Sequence, residues 1–223
     1  MARSTPIRTT VPGLDSTQSG RAITTMQERL SALIDLQLTL KHIHWNVVGM
    51  NFIAVHEMLD PQYDAVRAMT DELAERIATM GGEPLGTPGS VTRIRSWNDY
   101  ELNREPAVRH LSALDSVYSG VIQDHRTATE KIGQIDPVTE DLFIGQLRQL
   151  ELFQWFIRAH LKDAAGDVVF RDGGSNGSSS NGSSSNGRAS SKASSKADSK
   201  SAGTSANREQ SNGAKAKKAA ARR

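Results

Sequence analysis

The chain has 223 residues and no cysteine, which excludes a disulfide framework and thiolate chemistry. No apolar run approaches the roughly eighteen residues of a membrane-spanning helix. The formal net charge of +2 hides a division: residues 1–172 carry 17 Lys/Arg against 23 Asp/Glu, net −6, whereas residues 173–223 carry 10 against 2, net +8.

Residues 1–20, with Pro6, Pro12, Gly13 and Gly20 among Ser and Thr, read as a flexible arm. Arg3 and Arg8 have no hydrophobic stretch behind them, so a secretory signal is not expected, and the protein reads as soluble and intracellular. From Arg21 the pattern turns helical: Ile23, Met26, Leu30, Leu33, Gln37, Leu40, His44 and Val47 recur at steps of three and four. Gly49 closes that helix, and a second is predicted over Phe52–Met80, with Pro61 inside it and expected to kink it. Residues 81–103, rich in Pro and Gly, form a long connection with a short helical turn near Val91–Arg95. A third long helix is predicted over Arg104–Ile132. The fourth has clear punctuation, Asp136 as N-cap, Pro137 at the first position and acids at Glu140 and Asp141, and runs to about Ala165. Four long helices without strand alternation predict an all-α four-helix bundle over residues 21–172.

Five residues carry a ligand set: His44, His56, Asp60, Asp71 and Glu75. Two imidazoles and three carboxylates suit iron, manganese or zinc. On one helix His56 and Asp60 are a turn apart, as are Asp71 and Glu75, and both pairs share nearly one face. Eleven residues nevertheless separate Asp60 from Asp71, about 16 Å along the axis, while metal–ligand bonds are about 2 Å long. Either the helix holds two poor half-sites, or a second, antiparallel copy sets its Asp71 and Glu75 beside this chain's His56 and Asp60. A two-fold dimer does this and makes two equivalent sites, so the spacing argues for a shared centre. His42, His110, His125 and His160 lack such company and read as satisfied structural residues.

The stretch from His44-Trp45-Asn46 through His56 and Asp60, continuing to Asp71 and Ala74-Glu75-Arg76, resembles the signature of the Dps family, the bacterial mini-ferritins. The resemblance spans residues 22–166, and the chain lacks the Glu-x-x-His motif of ordinary ferritins. It implies a ferritin-like four-helix bundle with a short extra helix between the second and third. It implies also a hollow shell of twelve subunits, with iron as the metal. Ferroxidase centres would lie at the two-fold interfaces, with His44, His56 and Asp60 from one subunit and Asp71 and Glu75 from its mate. Hydrogen peroxide would be the favoured oxidant of Fe(II), ferric mineral would be stored inside, and Trp45 would either supply an electron or cap the site. Asp141 and Glu151 match positions similar to the family's acidic three-fold pore for incoming iron.

Beyond Asp172 the chain repeats Asn-Gly-Ser-Ser-Ser and then spaces Lys192, Lys196 and Lys200 four residues apart. Lys215, Lys217, Lys218, Arg222 and Arg223 cluster at the end. Residues 173–223 thus read as a disordered linker and cationic tail, fit to bind DNA phosphates without sequence preference and with steep salt dependence. Family members use lysine-rich tails in this way, which places the protein in the cytoplasm at the nucleoid. The competing reading is a DNA-compacting structural protein whose acids merely form an interface network.

Overall fold

In the computed structural model, which describes residues 10–162, four long helices and one short one carry the chain. The bundle consists of α1 (Ser16–Asn46), α2 (Phe52–Thr79), α4 (Ala107–Gly133) and α5 (Pro137–His160), with α3 (Pro88–Ile94) in the long connection. α1 packs chiefly on α2 and α4 chiefly on α5, and the two hairpins meet through α1–α4 and α2–α5. Among the described residues no helix is long and apolar enough to cross a membrane.

Local chemistry sets the helix limits, and at two of them it overrides the apolar periodicity. α1 begins at Ser16, not Arg21, so residues 16–20, expected in a flexible arm, are helical, and residues 1–9 of that expected arm lie outside the described residues. Asp15 accepts a hydrogen bond from the Gln18 backbone N–H at 2.8 Å, and the Gln18 side chain accepts from the Asp15 N–H at 3.0 Å. This reciprocal capping box outweighs the roughly 1 kcal/mol cost of Gly20 in the helix interior. α4 begins at Ala107 instead of Arg104, because Glu105 and Pro106 form a short strand, β2, instead. β2 (Glu105–Pro106) pairs in parallel with β1 (Val47–Val48), Val47 opposite Glu105. α5 opens as predicted: Asp136 accepts from the Thr139 N–H at 3.0 Å with Pro137 at the first position. α2 runs unbroken through Pro61, although the missing N–H leaves the Glu57 carbonyl without its helical donor.

Gly49, at φ +99, turns the chain from β1 into α2. A Cβ there would meet no atom within 4 Å, so the position needs glycine for its backbone conformation and not for space. The predicted seam is buried at Met26, Leu30, Leu33, Leu40 and His44 of α1 and at Val47 of β1, and its apolar members share one core cluster with Leu59, Leu73 and Ile77 of α2. Two polar layers cross this core. The Tyr118 hydroxyl donates to Gln62 Oε1 at 2.8 Å. Two turns along, His125 Nε2 meets Gln146 Oε1 at 3.0 Å while the Gln146 amide donates to the Met69 carbonyl at 3.2 Å. An amide oxygen only accepts, so the proton of neutral His125 is on Nε2.

Candidate metal centre

His44 ends the buried seam of α1 and His56 lies in the first turns of α2, and the Gly49 turn brings them face to face. Their rings stack with centroids 3.6 Å apart and 24° between planes. Each ring is held by the other residue's backbone: His44 Nδ1 donates to the His56 carbonyl at 3.0 Å, and His56 Nδ1 to the His44 carbonyl at 2.9 Å. Because a carbonyl cannot donate, both neutral rings carry hydrogen on Nδ1, and both Nε2 lone pairs remain available to a cation. Phe52 packs against the outer side of this pair, its centroid 4.9 Å from that of His56.

Asp60, one turn beyond His56, lies 3.3 Å from His44 Nδ1 and accepts a 2.6 Å hydrogen bond from Lys41 Nζ. That hydrogen bond is the main reason its carboxyl stays below the usual carboxylate range. A smaller desolvation opposes it, and the nearby His44, Lys41 and His56 charges add to it. Lys41 also stands 5.0 Å from the centre of the Tyr63 ring. An ammonium therefore already holds one oxygen of Asp60. The signal in the sequence was a lysine three residues before His44, which a search for donors alone passes over.

Asp71 and Glu75 are exposed and have no ion-pair partner among the described residues. They lie on the same continuous helix as Asp60, about 16 Å further along. The fold thus brings together His44, His56 and Asp60 and leaves Asp71 and Glu75 apart. Among the described residues, no three His, Cys, Asp or Glu side chains of one chain are grouped so as to hold a metal ion. Close in sequence to the two histidines, several large apolar side chains are exposed: Trp45 is 70% exposed, Leu38 57%, Ile53 57%, and Met50 fully so.

The remaining site candidates fall as follows. Asp141 is exposed on α5, whereas Glu151 pairs with Arg126 of α4, and the two acids are about 15 Å apart along the helix. Lys192, Lys196, Lys200, Lys215, Lys217, Lys218, Arg222 and Arg223 lie outside the described residues. His42 bonds the Leu102 carbonyl at 2.7 Å, His110 the Tyr100 hydroxyl at 2.8 Å and His160 the Phe156 carbonyl at 2.8 Å. With His125, which meets Gln146, each of these histidines has a hydrogen-bond partner.

The chain matches the Ferritin-like domain family over residues 23–166, and a ferritin-like four-helix protein is the class that this bundle and its paired histidines define. It is 51% identical over 160 residues to the "DNA protection during starvation protein" of Mycolicibacterium smegmatis, covering 72% of this chain and 87% of that protein. It is 48% identical over 159 residues to the "Fine tangled pili major subunit" of Haemophilus ducreyi, covering 71% of this chain and 84% of that one. The solved structure "DpsA14 from Streptomyces coelicolor" is similar with a TM-score of 0.71 and 57% identity, covering 73% of this chain and 97% of that chain. Within the ferritin-like class, this chain belongs to the Dps family.

Proposed function

We propose that two copies of the chain, related by a two-fold axis, complete the centre. His44, His56 and Asp60 of one copy then face Asp71 and Glu75 of the other, and Fe(II) is oxidised there as substrate. The observation that carries this reading is the division of the donors along one unbroken helix. His44 and His56 stack with Asp60 beside His44, yet no three side chains of one chain are grouped to hold an ion, while Asp71 and Glu75 stand exposed and unpaired among the described residues about 16 Å further along. The exposed apolar residues close in sequence to the histidines give a second copy something to cover.

The donor set fits the chemistry. Two neutral imidazoles accept Fe(II), and three carboxylates favour the higher charge of Fe(III), which lowers the cost of electron loss. The carbonyls that hold both Nδ1–H groups fix the rings, so their Nε2 atoms need no reorganisation when iron arrives. Asp60 must exchange the Lys41 ammonium for iron, so Lys41 sets how readily the site loads. Two Fe(II) give one electron each to one hydrogen peroxide, whose O–O bond is cleaved to water-level oxygen without free hydroxyl radical. Trp45 caps the site or supplies an electron. Dimers build a hollow dodecameric shell that stores ferric mineral, reached through a three-fold pore lined by Asp141 and Glu151. The 173–223 tail binds DNA nonspecifically through its Lys/Arg residues, which gives a cytoplasmic, nucleoid-associated iron-storage and DNA-protection protein.

The test is anaerobic loading of Fe(II) followed by hydrogen peroxide, with ferric absorbance and radical yield recorded. About two Fe(II) oxidised per peroxide is the expected stoichiometry, since each Fe(II) loses one electron and peroxide takes up two. Asp71→Asn/Glu75→Gln should remove that activity and leave DNA binding intact. Oxidation that survives the double substitution sinks the assignment. Oxidation no faster than in buffer alone would favour the second reading, a DNA-compacting particle whose five residues are structural or hold another metal such as zinc or manganese.

A further inference from the structure

Between α1 and α4 a groove of about 660 Å³ runs beside residues 97–102, a volume that takes a drug-sized molecule or a short peptide. Ala32, Leu36, Ala113, Val117 and Gly120 give it an apolar lining. A Cβ on Gly120 would meet no atom within 4 Å, so the space above that glycine is open. The acids along the groove are largely answered: Arg95 pairs with Asp35 and Asp99, and Arg29 with Asp124. The Trp97 indole N–H donates to Asp35 Oδ2 at 2.7 Å, and the Tyr100 hydroxyl meets His110 Nδ1 at 2.8 Å. What this groove calls for is apolar cover, not a counter-ion.

The chain itself supplies a candidate. Beyond Lys162 the sequence carries one apolar run, Val168-Val169-Phe170, and no Val, Ile, Leu, Met, Phe, Trp or Tyr follows it through Arg223. Three such side chains in a row gain by leaving water. α5 delivers the chain to the right place, because its last turns lie against the N-terminal half of α4. Gln154 Nε2 donates to Asp115 Oδ1 at 2.8 Å, and Arg158 Nε donates to the same oxygen at 2.7 Å. Asp115 stands among Ala113, Ser116 and Val117, which line the groove. The segment has one helix to cross, about 10–12 Å wide, and the six residues from Lys162 to Val168 span up to about 20 Å. Residues 1–9 join instead at Thr10, whose hydroxyl donates to the Thr79 carbonyl. Thr79 lies one turn from Arg76 and so at the end of the bundle where α5 begins.

We propose that Val168-Val169-Phe170 dock in the α1–α4 groove of their own chain, with Phe170 filling the space above Gly120. Arg171 then reaches the rim, where Glu101 is exposed and has no ion pair among the described residues. The point at which the chain passes into its cationic tail is thereby fixed on the α1–α4 face. The docking stands whether or not that tail holds DNA.

The chain has no cysteine, so disulfide trapping reports only an introduced pair. Full-length protein carrying Ser116→Cys, in the groove lining, and Asp172→Cys, just past the segment, is equilibrated in glutathione buffer. The within-chain disulfide is then quantified by mass spectrometry. A comparison protein carries Ser116→Cys with Ser184→Cys, whose second thiol sits in the Gly/Ser stretch. The shorter tether alone accounts for about a threefold difference in effective concentration. We expect at least about tenfold in favour of the 116–172 pair, and Phe170→Ser should remove the excess. A ratio of threefold or less, or an excess insensitive to Phe170→Ser, overturns the proposal. A disulfide between chains, seen as a dimer on a non-reducing gel, overturns it too and gives the groove to the segment of a second copy.

Discussion

In the proposed centre Lys41 and iron would compete for the same Asp60 oxygen, which makes one side chain a direct control on loading. Lys41→Met keeps the apolar stem, removes the ammonium and should tighten anaerobic Fe(II) binding several-fold, read by titration. Weaker binding in that variant would mean that Lys41 builds the site and does not occupy it. His125 reports a different effect. Burial pushes its imidazole down to about 4, ahead of the opposing Gln146 hydrogen bond, and its Nδ1 has no partner among the described residues. The folded chain therefore keeps His125 neutral, while the unfolded chain protonates it below its ordinary value near 6.5. Its contribution is whole above about pH 6.5 and is lost as the pH falls toward 4, roughly 2 kcal/mol by pH 5. Denaturant midpoints at pH 7 and pH 5 should show this drop, and His125→Leu should shrink it.

At the scale of elements, α2 and α5 are joined beside Glu75. Arg76, next to Glu75, donates to Asp136 Oδ2 at 2.7 Å and to Thr139 Oγ1 at 2.9 Å. Burial alone would raise the Asp136 carboxyl, but the Thr139 and Arg76 hydrogen bonds outweigh it and hold it below the usual range. Asp136→Ala removes the N-cap of α5 and strands a mostly buried guanidinium, so it should cost about 3 kcal/mol in unfolding free energy. Asp136→Asn, which keeps the cap, should cost visibly less. Asp136 and Pro137 were readable in the sequence because capping is local chemistry. The start of α1 was equally local, in Asp15 and Gln18, but an apolar seam that strengthens only after Arg21 drew attention away from it. The pairing of Val47–Val48 with Glu105–Pro106 was not readable, since fifty-eight residues separate the partners and nothing in either dipeptide names the other.

For the assembled molecule, the decisive prediction is complementation. A chain with His44→Ala/His56→Ala and a chain with Asp71→Asn/Glu75→Gln should each be inactive alone. Co-assembled, a mixed dimer regains one intact centre out of two, so roughly a quarter of the wild-type activity should return for random pairing. Continued inactivity in verified mixed shells would refute a shared site. Removal of residues 173–223 should abolish DNA retention in a gel and leave peroxide-driven iron oxidation unchanged. The five proposed donors were readable as a set because one helix, α2, fixes the spacing of four of them, His56, Asp60, Asp71 and Glu75. Lys41 was not, because a cation among ligands contradicts the pattern that a donor search seeks.

The polar layers in the core bear on how accurately such a centre can be built. Gln62 and Met69 on α2 are seven residues apart, and so are Tyr118 and His125 on α4. Leucine layers alone would tolerate a slide of one helix past another by a turn, about 5.4 Å. Here such a slip would break both contacts at once, and each stranded polar group would cost about 1–3 kcal/mol. The axial height of His56 and Asp60 is therefore gauged by Gln62, about half a turn beyond Asp60, and by Met69, about two and a half turns beyond it. A substitution deep in the bundle, such as Gln62→Leu, would loosen that gauge without altering a single donor.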